Sequence, residues 1–85
     1  MSIPKQHFFS FTDKQGQYLA YIYHYIKLNA VPPAHTDFQK YFQVTPPTVN
    51  QMINTLESKR LIKKIPKTAR SISLLIPTEL IPRLK

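Results

Sequence analysis

A chain of 85 residues with twelve lysines and arginines against four acids, net charge +8, has room for one small domain and suits an anionic partner. With 42% hydrophobic residues, five tyrosines and five phenylalanines it is globular rather than disordered, and the lack of cysteine excludes disulfide and thiol chemistry and fits a reducing compartment. No apolar run approaches the roughly 18 residues of a membrane span, and the start MSIPKQHFFSF lacks a signal peptide's charged and apolar segments. The expectation is a full-length cytoplasmic protein with no membrane partner.

Residues 1–11 read as an N-terminal arm. Thr12 is a suitable N-cap for TDKQGQYLAYIYHYIKLN, where Leu19, Ile22, Tyr23 and Ile26 recur at helical spacing, with Asp13 in the first turn and Lys27 in the last. The spacing predicts a first helix over about 13–28. VPPAHTDFQKYFQV opens on a proline pair that cannot lie within a helix, then sets Phe38, Tyr41 and Phe42 on one face. A short second helix over about 35–42 follows, with Ala34 a poor cap.

The third helix has the clearest start. Val49, Met52, Ile53 and Leu56 form the apolar stripe of a half-buried helix. Thr45, held extended by the proline after it, suits the N-cap, and Pro46 and Pro47 then occupy the first two helical positions, where a missing N–H does least harm. With no donor on either proline, the Thr45 hydroxyl is expected to serve the Thr48 N–H. Beyond this helix the period shortens: RLIKKI and RSISLLI read as strands around PKTA, with Ile72 and Leu74 on one face and Ser71 and Ser73 on the other. The fold class is mainly α with a small β-hairpin, the helix-helix-helix-hairpin order of a winged helix-turn-helix: a three-helix bundle plus a two- or three-stranded wing.

FQVTPPTVNQMINTLESKRLIKKIPKTARSISLL resembles the helix-turn-helix and wing of bacterial winged-helix repressors, and the stretch from FTDKQGQYLAYI through VPPAHTDFQKYF is similar to the DNA-binding domain of the LexA repressor. The matching points are VPP between the first two helices, the Thr-Pro opening of the third, and TAR.I.LL in the wing. They cover roughly residues 11–76, making 12–76 the winged-helix domain and 77–85 a C-terminal tail. Gln43 stands where the family pattern often has Gly, and so does Arg60, which there faces a left-handed backbone unless the helix ends differently. Pro47 stands where the pattern has a polar residue. The protease domain of that repressor has no counterpart in these 85 residues, so its self-cleavage is not implied.

The resemblance implies a small transcriptional regulator binding double-stranded DNA, with the third helix in the major groove. If Val49, Ile53 and Leu56 face inward, about 100° per residue puts Pro47, Gln51, Asn54 and Ser58 outward, flanked by Thr48 and Asn50. Amides pair bidentately with adenine, and Pro47 or the Thr48 methyl can meet a thymine methyl. Thr45 lies at the same end. Solvation of an exposed face is the bland reading of the same residues.

Six of the twelve basic residues, Lys59, Arg60, Lys63, Lys64, Lys67 and Arg70, fall between 59 and 70 with no acid among them. Lys67 and Arg70 are the first candidates for phosphate contacts, with Lys63 and Lys64 beside them and Thr36 and Lys40 reaching the backbone from the second helix. Arg70 is alternatively a minor-groove side chain. Alternate residues of a strand face opposite ways, so all six cannot touch one duplex.

Tyr18, Tyr21 and Tyr25 form a second stripe on the first helix, preceded by Phe8, Phe9 and Phe11. Rings the core cannot absorb would make a homodimer surface through the first helix, the arm or TELIPRLK. Folding of the arm over its own domain is the other reading. No Cys nucleophile or Gly-rich phosphate loop is present, and His7, His24 and His35 lack metal-ligand spacing, so neither an enzyme nor a cofactor or metal is expected. A winged helix serving as a protein-interaction module through its basic strip is the alternative function. Binding of single-stranded nucleic acid by the aromatics is a third.

Overall fold

The computed structural model describes residues 9–85. Three helices, α1 (Asp13–Asn29), α2 (His35–Phe42) and α3 (Pro46–Ser58), are followed by two short antiparallel strands, β1 (Ile62–Lys63) and β2 (Ser73–Leu74), and a 3-10 turn over Thr78–Leu80. This is a winged helix-turn-helix with a two-stranded wing.

Each helix begins by a different device. Thr12 closes a capping box on α1: its hydroxyl accepts from Gln15 N–H, and its own N–H donates to Gln15 Oε1. Ala34 has no capping side chain, and the Asp37 carboxylate compensates by accepting the Ala34 N–H at 2.7 Å. At α3 the expected bond from Thr45 to the Thr48 N–H is absent. The Thr45 hydroxyl instead lies 2.9 Å from the Thr48 hydroxyl, which competes with the backbone donor for the same oxygen.

The helix ends need left-handed backbone, and no glycine supplies it. Ala30, Gln43 and Arg60 take φ of 63°, 54° and 61°. Behind α3, Leu61 N–H donates to Leu56 O and Arg60 N–H to Glu57 O, the paired bonds of a Schellman ending, with Leu56 and Leu61 both buried. The family-like positions of Gln43 and Arg60 thus keep the left-handed turn without glycine. The chain's one glycine lies inside α1. A Cβ on Gly16 would stand 2.9 Å from Pro82 Cγ and 3.0 Å from Phe11 Cε1, so it is the close approach of these rings that requires the bare backbone there.

The core joins Leu19 and Ile22 of α1, Phe38 of α2, Val49, Ile53 and Leu56 of α3, and Leu61, Ile62, Ile72 and Ile76 around the wing. It absorbs much of the second aromatic stripe. Tyr18 is buried and stacks on Phe42 at 4.3 Å between ring centroids, and Tyr21 is buried edge-on to Phe38. These rings are therefore not a platform for bases. Burial pushes the Tyr21 hydroxyl up to about 12, assisted by the charge of Asp37. Residues 81–85 lie back over α1 and α2: Gln17 bonds Arg83 O and Lys85 N–H, and Tyr41 donates to Lys85 O. Phe9 and Phe11 also pack on the core, while residues 1–8 of the arm, with His7 and Phe8, lie outside the described residues.

The strands are shorter than RLIKKI and RSISLLI suggest. Ile62 pairs with Leu74 and Lys63 with Ser73, and the same register continued would bring Lys64 opposite Ile72 and then Ile65 opposite Ser71. There the Ser71 side chain replaces the ladder: its hydroxyl accepts the Ile65 N–H at 3.0 Å and lies within bonding distance of the Ile65 and Thr68 carbonyls. A turn closed by Thr68 N–H to Ile65 O has Pro66 and then Lys67, at φ 60°, in its middle. The wing thus ends in a compact loop rather than a long hairpin.

Candidate nucleic-acid interface

Regular helix geometry exposes the outer side of α3. Val49, Ile53 and Leu56 are buried, and Thr45, Pro47, Thr48, Asn50, Gln51, Asn54 and Ser58 are all exposed. Their chemical freedom differs. Among the described residues the side-chain amides of Gln51 and Asn54 have no protein partner, whereas Asn50 Oδ1 lies 2.9 Å from His35 Nδ1, a bond donated by the Nδ1–H tautomer. That pairing ties the start of α3 to the start of α2 and occupies the acceptor half of the Asn50 amide. The Ser58 hydroxyl donates to Thr55 O, and Thr55, exposed on the same side, donates to Gln51 O. Thr48 is held by Thr45.

The basic residues separate into free and engaged groups. Lys63 is exposed on β1, Lys67 is exposed on the loop, and Lys64 is half-buried between them. Lys59 leaves the strip, donating from Nζ to Gln15 Oε1 on α1 at 2.8 Å. Arg70 is also engaged: Nη1 donates to Tyr25 Oη, Pro32 O and Asp37 Oδ2 at 2.9, 3.2 and 3.0 Å. Burial works against ionisation of Asp37, but the Ala34 N–H, the Arg70 charge and hydrogen bonds from Tyr25 and Arg70 outweigh it and hold the carboxyl below its usual range. Thr36 and Lys40 are exposed on α2.

A cleft of about 300 Å³ separates the start of α2 from the wing, and His35, Lys64, Lys67 and Arg70 contribute to its walls. Sequence reasoning missed Ile65, an apolar side chain 60% exposed in the middle of this cationic loop. It also missed His35 as the partner of Asn50, since nothing local marks a contact between the starts of two helices 15 residues apart in the chain. Tyr25 and Asp37 carried no signal as partners of Arg70, because nothing local to either marks a contact across the fold.

No protein-family model matches the chain. The LexA repressor of Thermosipho melanesiensis is 40% identical over 63 residues, which make up 74% of this chain and 32% of that repressor. The LexA repressor of Thermosipho africanus is 38% identical over 63 residues, with the same coverage. The chain therefore spans about a third of the length of these relatives. The resemblance read from the helix and wing motifs is borne out: over most of its length this winged helix is similar to one part of the LexA repressors.

Proposed function

We propose that the protein is a DNA-binding transcriptional regulator whose α3 reads the major groove of a duplex while the wing holds the phosphate backbone. The observation that carries this reading is the free pair of amides, Gln51 and Asn54, on the outward side of a helix whose opposite side is buried, beside exposed Lys63 and Lys67. Each amide offers a donor and an acceptor in the spacing that adenine presents in the major groove. Asn50, its oxygen shared with His35, contributes a donor alone. Pro47 supplies shape or a methyl contact, Thr45, Thr48 and Ser58 line the same side, and Lys64, Thr36 and Lys40 lie toward the backbone. Similarity to repressors supports the regulatory role.

Selection of duplexes from a random pool, followed by titration of the selected sequence over a salt series, tests the reading. Gln51→Ala and Asn54→Ala each relax preference at one base pair, with about 1–3 kcal/mol of discrimination lost. Lys67→Ala weakens all sequences alike and makes the salt slope shallower by about one. Absence of binding at low salt, with capture of an acidic protein partner instead, would favour the interaction-module reading.

A homodimer through the first helix and arm would match a two-fold DNA site. Its support is Leu28 and Val31, apolar side chains 83% and 43% exposed at and just beyond the end of α1. Sedimentation that gives a strict monomer with and without duplex removes it.

A further inference from the structure

Ile62 and Ile72 anchor the base of the wing in the core, but little within the wing sets the direction of the loop beyond them. Two residue pairs make its ladder, and a two-stranded hairpin of that size does not hold an orientation by itself. The loop beyond the ladder is closed internally by Ser71, which fixes its shape and leaves its direction open.

Arg70 supplies the missing constraint. One nitrogen of its guanidinium reaches the Tyr25 hydroxyl on α1, the Pro32 carbonyl in the α1–α2 connection, and the Asp37 carboxylate on α2. The guanidinium carbon lies 5.8 Å from the centre of the Tyr25 ring. Asp37 is itself immobile, because the oxygen that takes Arg70 also accepts the Ala34 N–H at the start of α2. The Arg70 backbone adopts φ 52°, a left-handed conformation that arginine takes at a penalty and that here belongs to the loop delivering the side chain inward.

We propose that Arg70 is a positioning residue that fastens the wing to α1 and α2 and thereby sets how Lys63 and Lys67 meet DNA, rather than neutralising a phosphate itself. The last step rests on the DNA-binding reading; the fastening does not. Swinging out to a phosphate would vacate three acceptors and leave the Asp37 carboxylate uncompensated near a polyanion, and a contact made in place through Nε or Nη2, which stay unengaged among the described residues, would show itself in the salt slope. Lysine would not substitute, since its side chain is one bond shorter than the reach to Nη1, so the ammonium falls short of the three oxygens and brings no guanidinium to the face of Tyr25.

The test uses the full chain with Arg70→Lys, Arg70→Ala and Tyr25→Phe, reading amide hydrogen exchange across residues 63–73 without DNA and binding to the selected duplex over a salt series. Exchange at Ile65 and Thr68 accelerates by about fivefold or more in both Arg70 variants and less in Tyr25→Phe, because the loop opens more often once unfastened. Affinity falls about three- to tenfold in Arg70→Lys as in Arg70→Ala, with the log–log salt slope unchanged, whereas a lost phosphate contact would make the slope shallower by about 0.9. Wild-type wing exchange in Arg70→Lys, or a slope shallower by about one in Arg70→Ala, would overturn the proposal. If the unsubstituted protein binds no duplex, the DNA reading fails while the exchange measurement still decides the fastening. Tyr25→Phe keeps ring packing and removes one acceptor, so it remains informative should an Arg70 variant fail to fold.

Discussion

The outward side of α3 and the wing carry the candidate contacts, and they reach their geometry by opposite routes. α3 is positioned by its own repeat: three buried residues at helical spacing fix which side faces out, so Gln51 and Asn54 are presented without a side-chain bond to any of the described residues. The wing stands on Ile62 and Ile72 in the core, and its loop is positioned by polar side chains, with Ser71 closing it locally onto Ile65 and Arg70 joining it to residues 33, 38 and 45 positions away. A surface built by periodicity tolerates changes on its exposed side. One built by a few polar bonds is vulnerable at each of them.

The largest expected effect breaks the helical route. Ile53→Ala removes a fully buried side chain between α3 and the rest of the core. It should destabilise the fold by about 2–5 kcal/mol, measured as a lower denaturant midpoint, while leaving every exposed amide in place. Ser71→Ala attacks the wing route instead. Loss of the acceptor for the Ile65 N–H should lower stability by about 1 kcal/mol and speed exchange of that amide, with the amides of α3 unchanged. If exchange in α3 accelerates equally, the two surfaces are not independent.

Arg60→Gly sharpens the comparison at the junction between them. Its left-handed φ of 61° favours glycine, so stability should rise by up to about 1 kcal/mol in equilibrium unfolding, with the Schellman bonds retained. The smallest effect is with pH. Asp37 titrates below the ordinary carboxylate value of about 4, so its contribution is full above that value and fades as pH falls through the lowered one. The thermal midpoint should therefore lose the pair's contribution only in strongly acidic solution, and Asp37→Asn should flatten that part of the profile.

The helices were legible because their signals are local. α2 and the start of α3 fall where the prolines and apolar spacing put them, and α1 runs one residue further, to Asn29. The wing was legible in kind but not in extent. β-propensity continues through Ile65 and Ser71, but the side-chain bond between them and the turn at Pro66 and Lys67 stand where the ladder would go on. At the α3 cap the sequence identified Thr45 but not its partner, since two hydroxyls three residues apart compete with a single N–H. The employment of Lys59 and Arg70 was hidden for a further reason. A charge count treats every cation as available, and both are drawn inward by residues at least 33 positions away.

Gly16 carries a warning for anyone engineering this fold. By helix propensity alone, Gly16→Ala in the first turn of α1 is an obvious stabilising choice, favoured by up to about 1 kcal/mol. Here the added methyl would press on Pro82 and Phe11 together, from opposite ends of the chain. The substitution that scoring by local preference ranks highest is the one that would pry both flanking segments from the domain.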